Sequence, residues 1–423
     1  MRIVICHEFF YLRGGAERYM FDVIQLLRGQ GHEVIPFSTV SAQNESPGVY
    51  GEYFVSQIDF PALVQSHNPK DIGRVLQRSI YSMEAKQSLS RLLCDTKPDL
   101  VHIFGFPQYL SFSILDAIAD ARVPAVQSML DYKWLCPNST FLSHGRLCEK
   151  CRKHRYHNVI AQRCKRSSFG ASLVAALQAY YAYFSRSADR IALFICHSRF
   201  LWAKMIEYGY AAARLSFVPH FMDVATYPAP STSDPVAVYF GRLSPEKGVW
   251  TLLRAIEIAG IPVNFVGTGS EEGPMRQYVQ DRGLANIRFL GPAWGDDMRN
   301  LVSRARFVVC PSEWYENSPL AIYEAMAMGR PVIGARIGGI PELVQDGITG
   351  LTFETGNAED LAAKMRYLMD APDIARQLGA KAREVAAAEF TPAKHYQELM
   401  RIYEDAMAGA GRDTTKEPRC EPY

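Results

Sequence analysis

Twice along this chain a series of strand-length apolar runs alternates with helical patterns, and the series restarts after one segment that has neither. The first series reads "RIVIC", a helix from about Ala16 to Arg28, "HEVIPFS", "DLVHIF", "PAVQSM", "RIALFICHS" and "ARLSFVPH". The second reads "VAVYFGR", "IPVNFVGTG", "NIRFLG", "ARFVVCPS" and "RPVIGA". Strands this apolar are covered on both faces, and helices between them make neighbouring strands parallel. The chain is expected to be α/β, with two doubly wound sheets. Its 423 residues exceed one ordinary core, which agrees with two domains.

The segment between the series, "MDVATYPAPSTSDP" (222–235), is rich in Pro, Ser and Thr and has no periodicity. It sets the expected boundaries: a first domain over 1–222, a linker over 223–234 and a second domain over 235–390. A last helix is expected over 391–410, with Thr391 as cap and Tyr396, Leu399, Tyr403 and Met407 at helical spacing. That stripe would pack back on the first domain. The tail 411–423, "GRDTTKEPRCEPY", reads as disordered.

Composition narrows the function. A net charge of +2 lacks the basic excess of a surface that tracks nucleic acid, so no nucleic-acid partner is expected. No apolar run is long enough to span a bilayer, and "MRIVICHEFF" reads as a first strand rather than a leader. A cytoplasmic chain is the expectation.

Chemistry gathers in the second half. "VYFGRLSPEKG" puts Arg242 and Lys247 on the loop leaving a strand, with Gly241 and Gly248 permitting close backbone approach. Two cations at the carboxyl end of a parallel strand suit a pyrophosphate; the plainer reading is an exposed loop. "FVGTGSEEG" is a second Gly-rich strand end containing Gly267, but its spacing is not a dinucleotide fingerprint. "CPSEWYENSPLAIYEAMAMGRPVIG" places Glu316 before an expected helix start and Glu324 in its second turn, with Ser318 as cap and Pro319 at the first position. Free N–H groups at such a start hold phosphate, and a carboxylate accepts paired hydrogen bonds from vicinal hydroxyls. A nucleotide sugar offers both groups; the plainer alternative is a cap-zone Glu followed by a surface Glu.

Together "RGGAERY", "GRLSPEKG", "VGTGSEEG", the Glu-x7-Glu of "ENSPLAIYE", "MAMGRPVIG" and "GGIPELVQDGITGLTF" resemble the retaining glycosyltransferases of family 4 over roughly residues 1–405. The resemblance implies a GT-B fold, two Rossmann-like domains facing a cleft, with acceptor on the first domain and nucleotide-sugar donor on the second. It implies that Arg242 and Lys247 neutralise the donor diphosphate, that Glu324 takes the ribose diol, and that Glu316, Asn317, Ser318 and Leu320 hold the transferred sugar and its phosphate. Gly15 would line the cleft from the first domain, Gly241 and Gly267 would line the donor site, and Leu290 would lie near the base. Asp131 completes the expected catalytic set with Glu316, Arg242 and Lys247. The implied reaction carries a sugar from a UDP- or GDP-linked donor to a hydroxyl of a saccharide or lipid-linked saccharide with retention, and needs no catalytic cofactor. Leu130 stands where the family usually has a cleft histidine, and Phe104 where it often has a second one after His102. An epimerase or hydrolase of the same fold, or a donor-binding subunit with reduced activity, are the competing readings.

The insertion 132–166 is spaced C-x11-C-x2-C-x12-C. Cys136, Cys148, Cys151 and Cys164 are thereby expected to form a structural four-thiolate zinc site, with His144, His154 or His157 able to replace one ligand; the alternative is that they are small packing residues. The insertion's excess of Lys and Arg over its single Glu precedes the apolar "ASLVAALQAYYAYF". That juxtaposition suits peripheral contact with the cytoplasmic face of a membrane, against the alternative of a solvated loop and a core helix.

Overall fold

A computed structural model describes residues 1–57, 73, 77–105, 109–228 and 233–410. The first domain has strands β1 (Arg2–Cys6), β2 (Glu33–Phe37), β3 (Leu100–Ile103), β4 (Ala125–Met129), a hairpin of β5 (Leu142–Ser143) and β6 (Arg146–Leu147), then β7 (Leu193–Cys196) and β8 (Leu215–Phe217). Apart from the hairpin these form one parallel sheet in the order β2-β1-β3-β4-β7-β8. The second domain has β9 (Ala237–Phe240), β10 (Val263–Val266), β11 (Ile287–Gly291), β12 (Phe307–Cys310), β13 (Val332–Ala335) and β14 (Gly350–Phe353). They make a second parallel sheet, β11-β10-β9-β12-β13-β14. Each sheet is doubly wound, as the apolar runs require. The strand order reverses beside β1 and beside β9, and ligands bind such sheets at the carboxyl ends of the strands there. β14 ("GLTF") lies outside the apolar runs read as strands above.

Five helices bear on the site: α1 (Gly15–Gly29), α2 (Phe169–Phe184), α3 (Arg199–Glu207), α4 (Leu320–Ala327) and α5 (Pro392–Ala410). α1 buries Tyr19, Met20, Val23, Ile24 and Leu27 at helical spacing and stops before Gly31, whose φ of 81° continues no helix. α5 crosses to the first domain. Leu399, Ile402 and Tyr403 are fully buried there with Ile3, Ile5 and Leu100, each burial stabilising the docking by roughly 1.5–3 kcal/mol. Tyr403 bonds His102 at 2.7 Å and Tyr396 bonds His32 at 2.8 Å.

Three expectations need correction or fall outside the described residues. The segment 223–234 is packed where it is described. Met222 and Tyr227 are buried in the second domain's core, and Arg383 donates to the carbonyls of Val224 and Pro228. An aromatic within a Pro- and Ser-rich stretch was the overlooked anchor. Residues 229–232 and the tail 411–423 lie outside the described residues.

The insertion is also built otherwise than its spacing implies. Among the described residues no group of three or more His, Cys, Asp or Glu is placed to hold a metal ion. Cys151 and Cys164 instead pack with Tyr156, Val159, Ala176 and Ala179. Cys136 is buried, and Cys148 is a half-buried free thiol. His144 bonds the Gln162 carbonyl at 2.7 Å, and His154 stacks on Tyr183 with centroids 4.0 Å apart. The arrangement thus shows no metal-holding geometry among the described residues, although Cys136, Cys148 and Cys164 all lie near Cys151.

Candidate functional site

The loop leaving β9 carries the two expected cations. Gly267 and Gly248 explain why it can lie where it does. A Cβ on Gly267, at φ 139°, would sit 1.9 Å from the Gly241 carbonyl, and one on Gly248, at φ 67°, 1.8 Å from the Pro311 carbonyl. Only glycine permits either backbone conformation at that spacing. The loops after β9, β10 and β12 are thus drawn together at the switch point. Arg242 stays largely in solvent, with Glu246 3.8 Å away. Lys247 turns inward and donates to Glu316 Oε1 at 2.7 Å.

Glu316 is buried and also accepts from Ser312 Oγ at 2.7 Å. Burial acts to raise its carboxyl, but the Lys247 ammonium and these hydrogen bonds overcome that and hold it below its ordinary value. Glu324, on α4, is equally buried and differs. Burial pushes it up to about 7, and Arg18 and Arg299 offset only part of that. Its partner is Arg18 of α1, which donates to Oε1 at 3.0 Å and to Tyr227 Oη at 3.3 Å. Reading the sequence missed Arg18. Its signal was its place one turn after the Gly14–Gly15 pair, where a cation pointing out of α1 meets whatever faces that helix start.

α4 begins at Leu320, with Pro319 in extended conformation just before it and no side-chain cap. Ser318 is not the expected cap; its hydroxyl bonds Tyr323 Oη at 2.9 Å. The Ile322 N–H donates to the Pro319 carbonyl at 3.0 Å, and those of Leu320 and Ala321 are left for another acceptor. α1 likewise starts at Gly15 with no side-chain cap. The two starts touch: a Cβ on Gly15 would meet the Leu320 side chain at 3.4 Å. Two helix N-termini facing one another across a cleft, beside Arg242 and Lys247, form a field that favours an anion.

Asn317 joins the domains. Its amide donates to the Met129 carbonyl at 2.8 Å and its oxygen accepts from Ser198 at 2.7 Å, so its side chain is already engaged and only its backbone is left for a ligand. Glu342, also missed, accepts from the N–H groups of Arg199 and Phe200 at 2.7 Å each and caps α3 from the other domain. Leu290, on β11, is exposed beside Phe289, which stacks on Phe265 with centroids 5.2 Å apart. Leu130 is half-buried against the core of the first domain.

Asp131 lies just past β4, at the carboxyl end of the sheet that Asn317 also reaches. Its carboxylate accepts from the Lys133 N–H at 2.9 Å. It keeps much of its surface exposed, yet the concave wall around it desolvates the group and raises it. Burial, and next the Lys165 ammonium, push Lys133 down to about 8. The structure thus brings Arg242, Lys247, Glu316, Glu324, Gly15 and the start of α4 into one site, with Asp131 on the opposite wall and no bond between it and the cations.

Known proteins agree with this architecture. Residues 228–385 match the family described as glycosyl transferases group 1. An uncharacterized glycosyltransferase of Methanocaldococcus jannaschii is 29% identical over 168 residues, 40% of this chain and 47% of that protein. The chain thus spans about half the length of that relative. The sulfoquinovosyl transferase SQD2 of Arabidopsis thaliana is 26% identical over 397 residues, 89% of this chain and 68% of the relative. Among solved structures, Anabaena HepE in complex with UDP and glucose superposes with a TM-score of 0.66 at 19% identity, covering 96% of this chain and 99% of that one. The fold is GT-B: two Rossmann-like domains.

Proposed function

We propose that this GT-B chain, whose second domain belongs to the group 1 glycosyl transferases, moves a hexosyl group from a UDP- or GDP-linked donor to an acceptor hydroxyl with retention. The observation that carries the reading is the meeting of the two uncapped helix starts beside Arg242, the Lys247–Glu316 pair and Glu324. A diphosphate between them would lie in a field that needs no reorganisation as charge develops on it. Glu324, one turn into α4, would exchange Arg18 for the ribose diol, and Glu316 would hold the sugar. The bond from the anomeric carbon to phosphate breaks as the acceptor oxygen bonds the same face. The acceptor's proton passes to the departing diphosphate. Asp131 faces this event from the first domain and would orient the acceptor. The UDP-containing complex of a structural neighbour favours a UDP-linked donor.

The acceptor we favour is a saccharide or lipid-linked saccharide met at the cytoplasmic face of a membrane. No helix among the described residues is long and apolar enough to cross one. α2, however, exposes Phe169, Leu177, Tyr183 and Phe184 beside the basic insertion, a combination suited to peripheral contact. Titrating UDP-, GDP- and ADP-sugars by thermal shift should identify the donor, because a ligand that binds only the folded state raises its stability by mass action. Release of nucleotide only when acceptor is present would mark a transferase. Release without acceptor would favour a hydrolase, and binding without release a donor-binding subunit.

A further inference from the structure

Arg18 belongs to the first domain but makes its shortest bonds to the second. Its Nη1 donates to Glu324 Oε1 at 3.0 Å and its Nη2 to Tyr227 Oη at 3.3 Å. Tyr227 is buried in the second domain's core, and its hydroxyl donates in turn to Met222 Sδ at 3.1 Å. The Glu324 side chain is 8% exposed and that of Arg18 34%, so the carboxylate is shielded while the guanidinium keeps a route to solvent. A vicinal diol approaches a carboxylate with two hydroxyls, one for each oxygen. Arg18 already holds one of those oxygens. The guanidinium and a diol therefore compete for Glu324. Asp22, one turn further along α1, stands 3.9 Å from Arg18 Nε. Arg18 thus has a second carboxylate on its own helix to turn to when Glu324 is taken, and leaving Glu324 does not strand its charge.

We propose that Arg18 is a latch between the domains that occupies Glu324 when no nucleotide is bound, and that the vicinal diol of a ribose must displace it. Nucleotide binding and the Arg18–Glu324 bond are then mutually exclusive, and each weakens the other by the same factor. The identity of the diol rests on the glycosyltransferase reading; the latch itself does not. UDP and GDP, each with its 2′-deoxy counterpart, are the probes, titrated calorimetrically into the full chain. The titrations are made at about pH 9, where Glu324, at about 7 beside Arg18, is largely ionised even once Arg18 is removed. Arg18→Gln should tighten the ribonucleotide about fivefold or more, because latched molecules no longer lower the competent fraction. The 2′-deoxy form offers a single hydroxyl, which Glu324 Oε2 takes without displacing Arg18, and its affinity should stay within about twofold. Thermal melting at the same pH tests the latch without nucleotide: Arg18→Gln should lower the melting temperature more in the unaltered background than in Glu324→Gln. Equal shifts in the two backgrounds would show that the latch is not formed in solution and overturn the proposal whatever the nucleotides do. Ribonucleotide affinity unchanged or weakened by Arg18→Gln, or equal tightening of the 2′-deoxy forms, would overturn the competition for the diol. Unequal melting shifts with no nucleotide bound by the unaltered chain would instead remove the donor reading and leave Arg18 as a latch between domains alone.

Discussion

The two domains that face the cleft are built by different means at their strand ends. On the second domain, glycines let backbone loops crowd the switch point, and α4 begins there without a side-chain cap. On the first domain, the described groups past β4 include long side chains, among them Lys133 bonded to Gln178 and Asp131 bonded to the Lys133 N–H. A wall of backbone is rigid and tolerates few substitutions. A wall of side chains can be re-specified residue by residue. On the proposed reading, the second domain is suited to one constant chemical feature and the first to a variable one.

The largest effect that would break this comparison is at the cations. Arg242→Ala with Lys247→Ala should reduce transfer by orders of magnitude, each contact strengthened in the transition state contributing roughly 2–4 kcal/mol. The two single variants should differ in stability. Lys247→Ala leaves buried Glu316 without its 2.7 Å partner, and orphaning a buried charge costs about 3–5 kcal/mol. Arg242 is exposed, so its removal should leave the melting temperature in place. Near-normal turnover in the double variant would sink the donor assignment.

The glutamates come next. Glu316→Gln should lower turnover and Glu324→Gln should weaken nucleotide binding, since only the first would hold the reacting group. Glu324 also predicts a pH dependence. Its folded value, about 7, lies above the ordinary carboxylate value of 4.5, so ionising it in the fold is unfavourable. Stability should fall as pH rises from about 4.5 to about 7, and Glu324→Gln should flatten that fall. Nucleotide affinity should rise through the same range, because the carboxylate accepts diol hydrogen bonds best when ionised. Equal pH profiles for Glu324→Gln and the unaltered protein would show that Glu324 is not the titrating group.

A smaller effect is expected at the insertion. Tyr315, next to Glu316, donates to Glu149 at 3.0 Å and packs on Phe141 and Phe200. Tyr315→Phe should reduce turnover a few-fold, because an exposed-to-half-buried hydrogen bond contributes roughly 0.5–1.5 kcal/mol, and should leave nucleotide affinity alone. The smallest effect concerns the thiols. Elemental analysis of protein purified without chelator should find no stoichiometric zinc, and Cys148→Ser should leave the insertion protease-resistant. About one zinc per chain would show that the insertion rearranges around an ion and would restore the metal reading.

Much of the fold was legible because buried parallel strands announce themselves as apolar runs, and eleven of the twelve long-sheet strands coincide with runs quoted from the sequence. The glycine-bearing loops were legible for a related reason. Gly241, Gly248 and Gly267 mark backbone crowding, and crowding marks the switch point. What stayed hidden depends on approach between distant segments. Arg18 meets Glu324 across 306 positions, and Glu342 caps α3 across more than 140. Neither pairing leaves a local pattern. The cysteine spacing brings Cys136, Cys148 and Cys164 near Cys151, but spacing alone does not specify the ligand geometry of a metal site.

The chain passes between its domains twice, once before β9 and once before α5. The two passages are bonded to each other, the Met222 N–H donating to the Phe390 carbonyl at 2.7 Å. Two adjoining straps forbid the domains to drift apart or slide freely, and leave mainly rotation about the line where the straps meet. Opening of the cleft is then a swing with its pivot at Met222 and Phe390. The Arg18–Glu324, Asn317–Met129 and Glu342–α3 bonds would act as catches at different distances from that pivot, and those farthest out would travel furthest and part first.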